Sequence, residues 1–381
     1  MFDLNISLWL VAAIIGILGS SYAIFGGLKS VAVSDTLNGI GLLIGGLAIP
    51  ILALSSLGSG SIIEGLTILG TQKPEYLKVL TQNNIEGNPV SVPWPTLLTG
   101  MMFIQVFYWS TNQVIVQRAM AAKSLAEGQK GVLFASAMKL IGPVMLCLPG
   151  IIALHMPDLT IDKQDRVYGA VVRHVLPDWS LGLFAAVLMG SILSSFNSAL
   201  NSASTLFSLQ FYKGYINEGA SDEQVVGVGR NFGIILALAA IIIAPLLAQL
   251  DSIFQYLQKV NGIYSVPIIA IFLLGILTKH VPAFGAKIGM AVGFFSYAYF
   301  VFFPVENFHW LHTYFISFTW SIMVMLLIGY LYPKSNNEIA ESENREKPPV
   351  DMTPWVYAKS VSYFIVGTTF GIYLVLTMIS S

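Results

Sequence analysis

Between Gly190 and Thr205 the chain reads GSILSSFNSALNSAST, a run of hydroxyls and amides within an apolar stretch. Seven hydroxyls (Ser191, Ser194, Ser195, Ser198, Ser202, Ser204, Thr205) and two amides, Asn197 and Asn201, fall in a segment whose first part is apolar enough to cross a bilayer. Ser191, Ser194, Ser195 and Ser198 are spaced i, i+3, i+4, i+7, which lines one face of a helix with hydroxyl oxygens. Small hard cations are held by such oxygens, so this face is a candidate cation site. The same residues also suit helix–helix contact, where small side chains allow close approach and trade weak hydrogen bonds.

Other polar residues stand where lipid would favour aliphatic ones. Gln105, Tyr108, Trp109, Ser110, Thr111, Asn112 and Gln113 follow closely in one apolar segment. Polar or irregular backbone at that depth is tolerated only against protein or a water-filled cavity, and interrupted helices are where transporters bind substrates. An unbroken helix with a buried polar face is the alternative. Lys139 sits about ten residues into another span; an intramembrane lysine is a functional candidate by default, although it can also snorkel or pair. Asp35 falls in the first turn of a span, where the helix dipole favours a carboxylate with or without a further role. Gln258 precedes Asn261-Gly262 and Pro267, a combination expected to break a helix within an apolar run.

The elements that must position these groups are membrane helices. Of 381 residues, 55% are hydrophobic and 10% charged, and mean hydropathy is +0.73, against roughly 25% charged in soluble domains. The fold class is therefore an all-α polytopic membrane protein. Ten spans are expected, at about 5–25, 32–56, 96–121, 130–154, 180–212, 227–249, 252–278, 284–303, 310–332 and 357–379. Residues 1–56 form two helices, 57–95 an outer loop helical in part between Ile62 and Leu80, and 96–278 five helices with breaks near 108–112 and 259–267. Residues 279–332 add two helices, 333–356 form a charged cytoplasmic linker, and 357–381 a last helix. Placing the 26–31 loop inside puts Lys29, Arg118, Lys123, Lys130, Lys213, Arg230, Lys279, Lys287, Lys334, Arg345, Lys347 and Lys359 on the cytoplasmic side. Only Lys73, Lys78, Lys163, Arg166 and Arg173 fall outside, as the positive-inside rule expects. A net charge of −1 argues against a nucleic-acid partner. The lone Cys147 excludes an intrachain disulfide. No phosphate-binding loop, nucleophile elbow or His-Glu-x-x-His motif appears, which disfavours an enzyme.

Four stretches resemble the solute:sodium symporter family in its sodium/glucose cotransporter branch. They are Tyr108-Trp109 through Asn112-Gln113 to Gln117-Arg118 and Lys123-Ser124; Tyr22 to Gly26-Gly27-Leu28 followed by Asp35; the Ser194-Ser195 helix; and Phe254 to Gln258. The resemblance implies a LeuT-like inverted-repeat core and symport of sodium with a small polar solute, most readily a sugar, by alternating access across a bacterial-type inner or plasma membrane. It implies a sodium site at Ser194 and Ser195 with the Ser191 carbonyl, and a second cation position at Asp35, Ser198 and Asn197. Tyr108 becomes the inner aromatic gate beside Trp109, and Gln105, Lys139 and Gln258 the partners of solute hydroxyls. The family's first helices, which supply sodium carbonyls and solute contacts, would precede Tyr22–Gly27. A partial core is therefore expected, with the second repeat complete and the first represented by two helices, as in a fragment. Organic acids, amino acids or vitamins are alternative solutes, and a non-transporting remnant is an alternative of another class.

Overall fold

The computed structural model describes residues 6–78, 92–159, 164–250, 252–306, 308–335 and 350–379, without the side chains of 22–31, 164 and 379. Part of the outer loop (79–91), part of the charged linker (336–349) and the side chains of the Tyr22–Gly27 motif lie outside the described residues. The helices are α1 (Leu8–Leu57), α2 (Ile62–Gln72), α3 (Met102–Ser110), α4 (Gln113–Met120), α5 (Leu125–Lys139), α6 (Gly142–Leu146), α7 (Leu148–Ala153), α8 (Val167–Val175), α9 (Asp178–Leu206), α10 (Asp222–Leu247), α11 (Ile253–Leu277), α12 (Ala283–Phe302), α13 (His312–Leu331) and α14 (Ala358–Ile379). Among the described residues no strand forms, and seven helices are long and apolar enough to cross a membrane, or eight if the broken pair α5 and α6–α7 counts as one. The protein is an all-α, multi-pass integral membrane protein.

Three of the ten expected spans take another form. The expected loop at 26–31 is absent, because the backbone is helical from Leu8 to Leu57. Glycine at 26 and 27 weakens a helix without stopping it, and the first proline inside α1 is Pro50. Fifty residues at about 1.5 Å each would reach about 75 Å, more than two bilayer cores. Only Ala32–Leu57 qualifies as a span, Leu8–Ser21 being a shorter apolar helix. Asp35 is consequently inside a long helix and not in a first turn, which removes the dipole as its support. The segment expected at 96–121 divides into α3 and α4, and that at 130–154 divides at Leu140–Ile141, ahead of Gly142-Pro143.

The chain forms two compact units. The first holds residues 1–77 and 136–253. Its axis is α1, against which α9 lies closely. Gly190 of α9 meets Asn38, where a methyl would come within 2.3 Å of Asn38 Oδ1, and Gly41 of α1 meets Val187. Ile49, Ala53 and Leu54 of α1, Leu69 of α2, Ile152 of α7, Val171 and Val172 of α8 and Phe184 of α9 share one buried core. α9 runs on into a π-helical stretch, Phe207–Ile216. Phe207 there stacks on Phe232 of α10 with centroids 3.9 Å apart. α10 begins with the capping box that Ser221 and Gln224 encode.

The second unit holds residues 78–135 and 254–381. Phe103 and Ile104 of α3, Val266 of α11, Tyr297 of α12 and Leu311 and Tyr314 around α13 form its core. α11 is one unbroken helix through Asn261, Gly262 and Pro267, contrary to the break expected at 259–267. Pro267 is buried against Gly293 of α12, whose missing side chain leaves room for the ring. A strap at residues 350–356 crosses the start of α5. Leu125 N–H donates to Asp351 O at 2.9 Å, and Trp355 N–H to Gln129 Oε1 at 2.8 Å. The Lys130 ammonium lies 6.0 Å above the Trp355 ring.

Candidate functional site

On α9 the serine column divides by burial. Ser198 is 3% exposed, Ser191 and Ser194 are half-buried, and Ser195 is exposed. Membrane-helix hydroxyls usually turn back onto a carbonyl three or four residues earlier, and those of Thr36, Ser110, Thr278, Ser296, Thr319, Ser362 and Thr369 do so here. Ser198 does the same, donating to Ser194 O at 2.7 Å. The hydroxyls of Ser191, Ser194 and Ser195 make no hydrogen bond among the described residues, so three oxygens on one face keep their lone pairs. Asn197, one step round the helix, is 0% exposed, and neither its Oδ1 nor its Nδ2 meets a hydrogen-bond partner among the described residues. Its Oδ1 would lie 3.3 Å from a methyl placed on Gly19 of α1, so the amide is aimed at that helix. Among the described residues no three His, Cys, Asp or Glu side chains are grouped to hold a metal. A cation held by Ser191, Ser194 and Ser195 would meet neutral oxygens.

Asp35 is half-buried on α1. One turn on, Asn38 donates from Nδ2 to the Gly190 carbonyl at 3.0 Å and contacts Ser34 Oγ at 3.4 Å. Sequence reasoning passed over Asn38. Its signal was available: an amide three residues from Asp35 on the same helix face, inside an apolar span.

In the second unit α3 stops at Ser110, and α4 restarts at Gln113 after Thr111 and Asn112. Asn112 makes the restart possible, because its extended backbone and its Oδ1, which accepts from Val114 N–H at 3.0 Å, cap α4. Gln105, Tyr108 and Trp109 are exposed on the last turns of α3. The Trp109 indole donates to Gln105 Oε1 at 3.2 Å, which fixes the amide with its NH2 free to donate onward. Tyr108 and Trp109 meet edge to face at 5.5 Å. Gln258 of α11 is half-buried and directs Nε2 to Met101 Sδ at 3.7 Å, a weak contact that a better acceptor would displace. Met101 ends a π-helical turn, Leu97–Met101, that leads directly into α3. The second unit thus holds Gln105, Tyr108, Trp109 and Gln258, while Lys139, Asp35 and the α9 residues belong to the first. Lys139 is the exposed last residue of α5 at its break, not an interior residue of a continuous span.

Interrupted helices such as α3–α4 recur in transporter folds. The sodium:solute symporter family model matches residues 1–293, and the chain belongs to that family. It is 39% identical over 96% of its length to an uncharacterized symporter, YidK, of Escherichia coli. It is 33% identical over 71% of its length to the sodium/glucose cotransporter of Vibrio parahaemolyticus, and 31% identical over 76% to sodium/glucose cotransporter 1 of sheep. The matches span 63%, 52% and 48% of those relatives' own lengths. Among solved structures it resembles a substrate-bound, outward-open Na+-coupled sialic acid symporter, with a TM-score of 0.72 and 19% identity over 87% of this chain and 69% of that one. The fold is LeuT-like.

Proposed function

We propose that the protein containing this chain is a sodium-coupled symporter for a small polar solute, most readily a sugar. The observation that carries the reading is the α9 face, where Ser191, Ser194 and Ser195 leave hydroxyls unengaged inside a membrane-crossing segment. Sodium is cargo on this view, held by the Ser194 and Ser195 hydroxyls and the Ser191 carbonyl. Asp35, Asn197 and Ser198 make up a second cation position. Gln105, Gln258 and Lys139 offer the oriented hydrogen bonds that a polyol needs, and Tyr108 beside Trp109 offers an apolar ring face. Relatives named for glucose and myo-inositol point the same way. One sodium moving inward contributes about 2.3 kcal/mol per 100 mV. That exceeds the roughly 1.4 kcal/mol per tenfold concentration of a neutral solute.

The test is sodium-dependent uptake by the full-length protein in proteoliposomes, with sugars and organic acids competing. Competition by sugars supports the reading. Competition by carboxylates alone would transfer it to an anionic solute with Lys139 as its partner, and uptake indifferent to sodium would end it.

A further inference from the structure

α11 ought to bend at Asn261-Gly262, and what prevents it reaches Gln258. Tyr297 of α12 and Tyr314 of α13 are both 0% exposed. Their phenols address consecutive carbonyls of α11: Tyr314 O–H donates to Gln258 O at 2.6 Å, and Tyr297 O–H to Lys259 O at 2.9 Å. The rings lie 5.5 Å apart and close over Gly262, where a methyl would come within 2.3 Å of the Tyr314 ring and 2.7 Å of the Tyr297 ring. By α-helical spacing the same two carbonyls accept from Gly262 and Ile263 N–H, so each receives two donors. Pro267 removes the N–H that would have reached Ile263 O, leaving the next turn short of one bond. Two phenols therefore brace the helix immediately before its weakest turn. Trp310 backs the arrangement, edge-on to Tyr314 at 5.9 Å with the Lys259 ammonium 5.7 Å above its ring.

Filling the notch above Gly262 needs only ring volume, which phenylalanine would supply. The hydroxyls add a fixed direction for the turn that carries the Gln258 amide. We propose that Tyr297 and Tyr314 are positioning residues for solute binding, a phenolic clamp that sets the orientation of Gln258. The proposal rests on Gln258 being a solute contact.

The experiment is uptake kinetics of the full-length transporter carrying Y297F, Y314F, both, Q258A, and the Phe pair with Q258A, each normalised to protein in the membrane. The Phe pair should raise the solute KM about fivefold or more, the equivalent of roughly 1 kcal/mol of lost hydrogen bonding. Maximal rate and sodium half-saturation should stay within about twofold. In the Q258A background the Phe pair should add nothing to KM, and amide exchange at Gly262 and Ile263 should quicken wherever the Phe pair is present and not in Q258A by itself. If Q258A raises KM and the Phe pair does not, the clamp is overturned and the solute site stands. If Q258A leaves KM unchanged, the solute-site assignment fails and the clamp's role fails with it. A lower rate or abundance at constant KM means packing only, which also overturns the proposal. Should the pair not accumulate, Y314F alone decides, since Tyr314 bonds the Gln258 carbonyl itself.

Discussion

Each unit holds a cluster of polar side chains within its helices, and the two clusters differ in how they are bonded. In the first, Asn197 is sealed inside α9 with both amide atoms unbonded among the described residues, and three neighbouring serine hydroxyls stand unengaged. In the second, Tyr297, Tyr314 and Ser317 are equally buried, and each hydroxyl donates to a helix carbonyl, Ser317 to Gly293 O at 2.8 Å. Ser265 and Ser321 are the exceptions there, with one unbonded hydroxyl each. An unbonded buried amide costs about 1–3 kcal/mol, and a native structure retains one where something else supplies the missing bond. On the proposed reading, the first surface would receive an ion and the second would hold a helix straight.

The most severe way to break the comparison is Ser194→Ala in the full-length protein. Loss of one oxygen ligand to a cation, about 1.5–3 kcal/mol, should raise the sodium half-saturation of uptake roughly 10- to 100-fold. An unchanged value would make the α9 face a packing surface like that of α13. Asn197→Leu comes next. Removing an unsatisfied amide should raise the thermal midpoint in sodium-free detergent, by the equivalent of about 1–3 kcal/mol, while shrinking the extra stabilisation that sodium confers. A lower midpoint would show that Asn197 is already satisfied. Ser317→Ala should do the reverse, costing about 1 kcal/mol of stability and leaving sodium half-saturation where it was.

The smallest effect concerns pH. His309, between α12 and α13, has its pKa held below the usual histidine value by burial first, then by the nearby charges of His312 and Lys259. The unfolded chain therefore binds a proton more readily than the folded one. Its contribution to stability is fully present above about pH 6.5 and is lost as pH falls through the folded value. Melting curves between pH 7.5 and 5 should show this slope flattened in His309→Gln.

Helix existence and the polar residues of interest were legible in the sequence, because long apolar runs and i, i+4 spacings are local signals. The stop of α3 before Asn112 was equally local, whereas the capping box at Ser221, also a local signal, was passed over. What else escaped depended on neighbours. Pro267 and Gly262 look like helix breakers until Gly293, Tyr297 and Tyr314 are packed against them. Gly26-Gly27 looks like a loop, yet the helix carries through it. Lys139 looks like part of one continuous helix until the chain bends after it, ahead of Gly142-Pro143. Asn38 gains its role only from Gly190, 152 residues away.

The strap over α5 fixes an order of events in the making of this protein. Trp355 is 226 residues beyond Gln129, whose side chain it bonds. At roughly 5–20 residues per second on the ribosome, that separation is about 10–45 s of synthesis. The start of α5, including the Leu125 amide that donates to Asp351 O, is synthesised well before the segment that covers it. The elbow between α4 and α5 is therefore among the last joints of its unit to be fastened, after the helices on either side of it already exist.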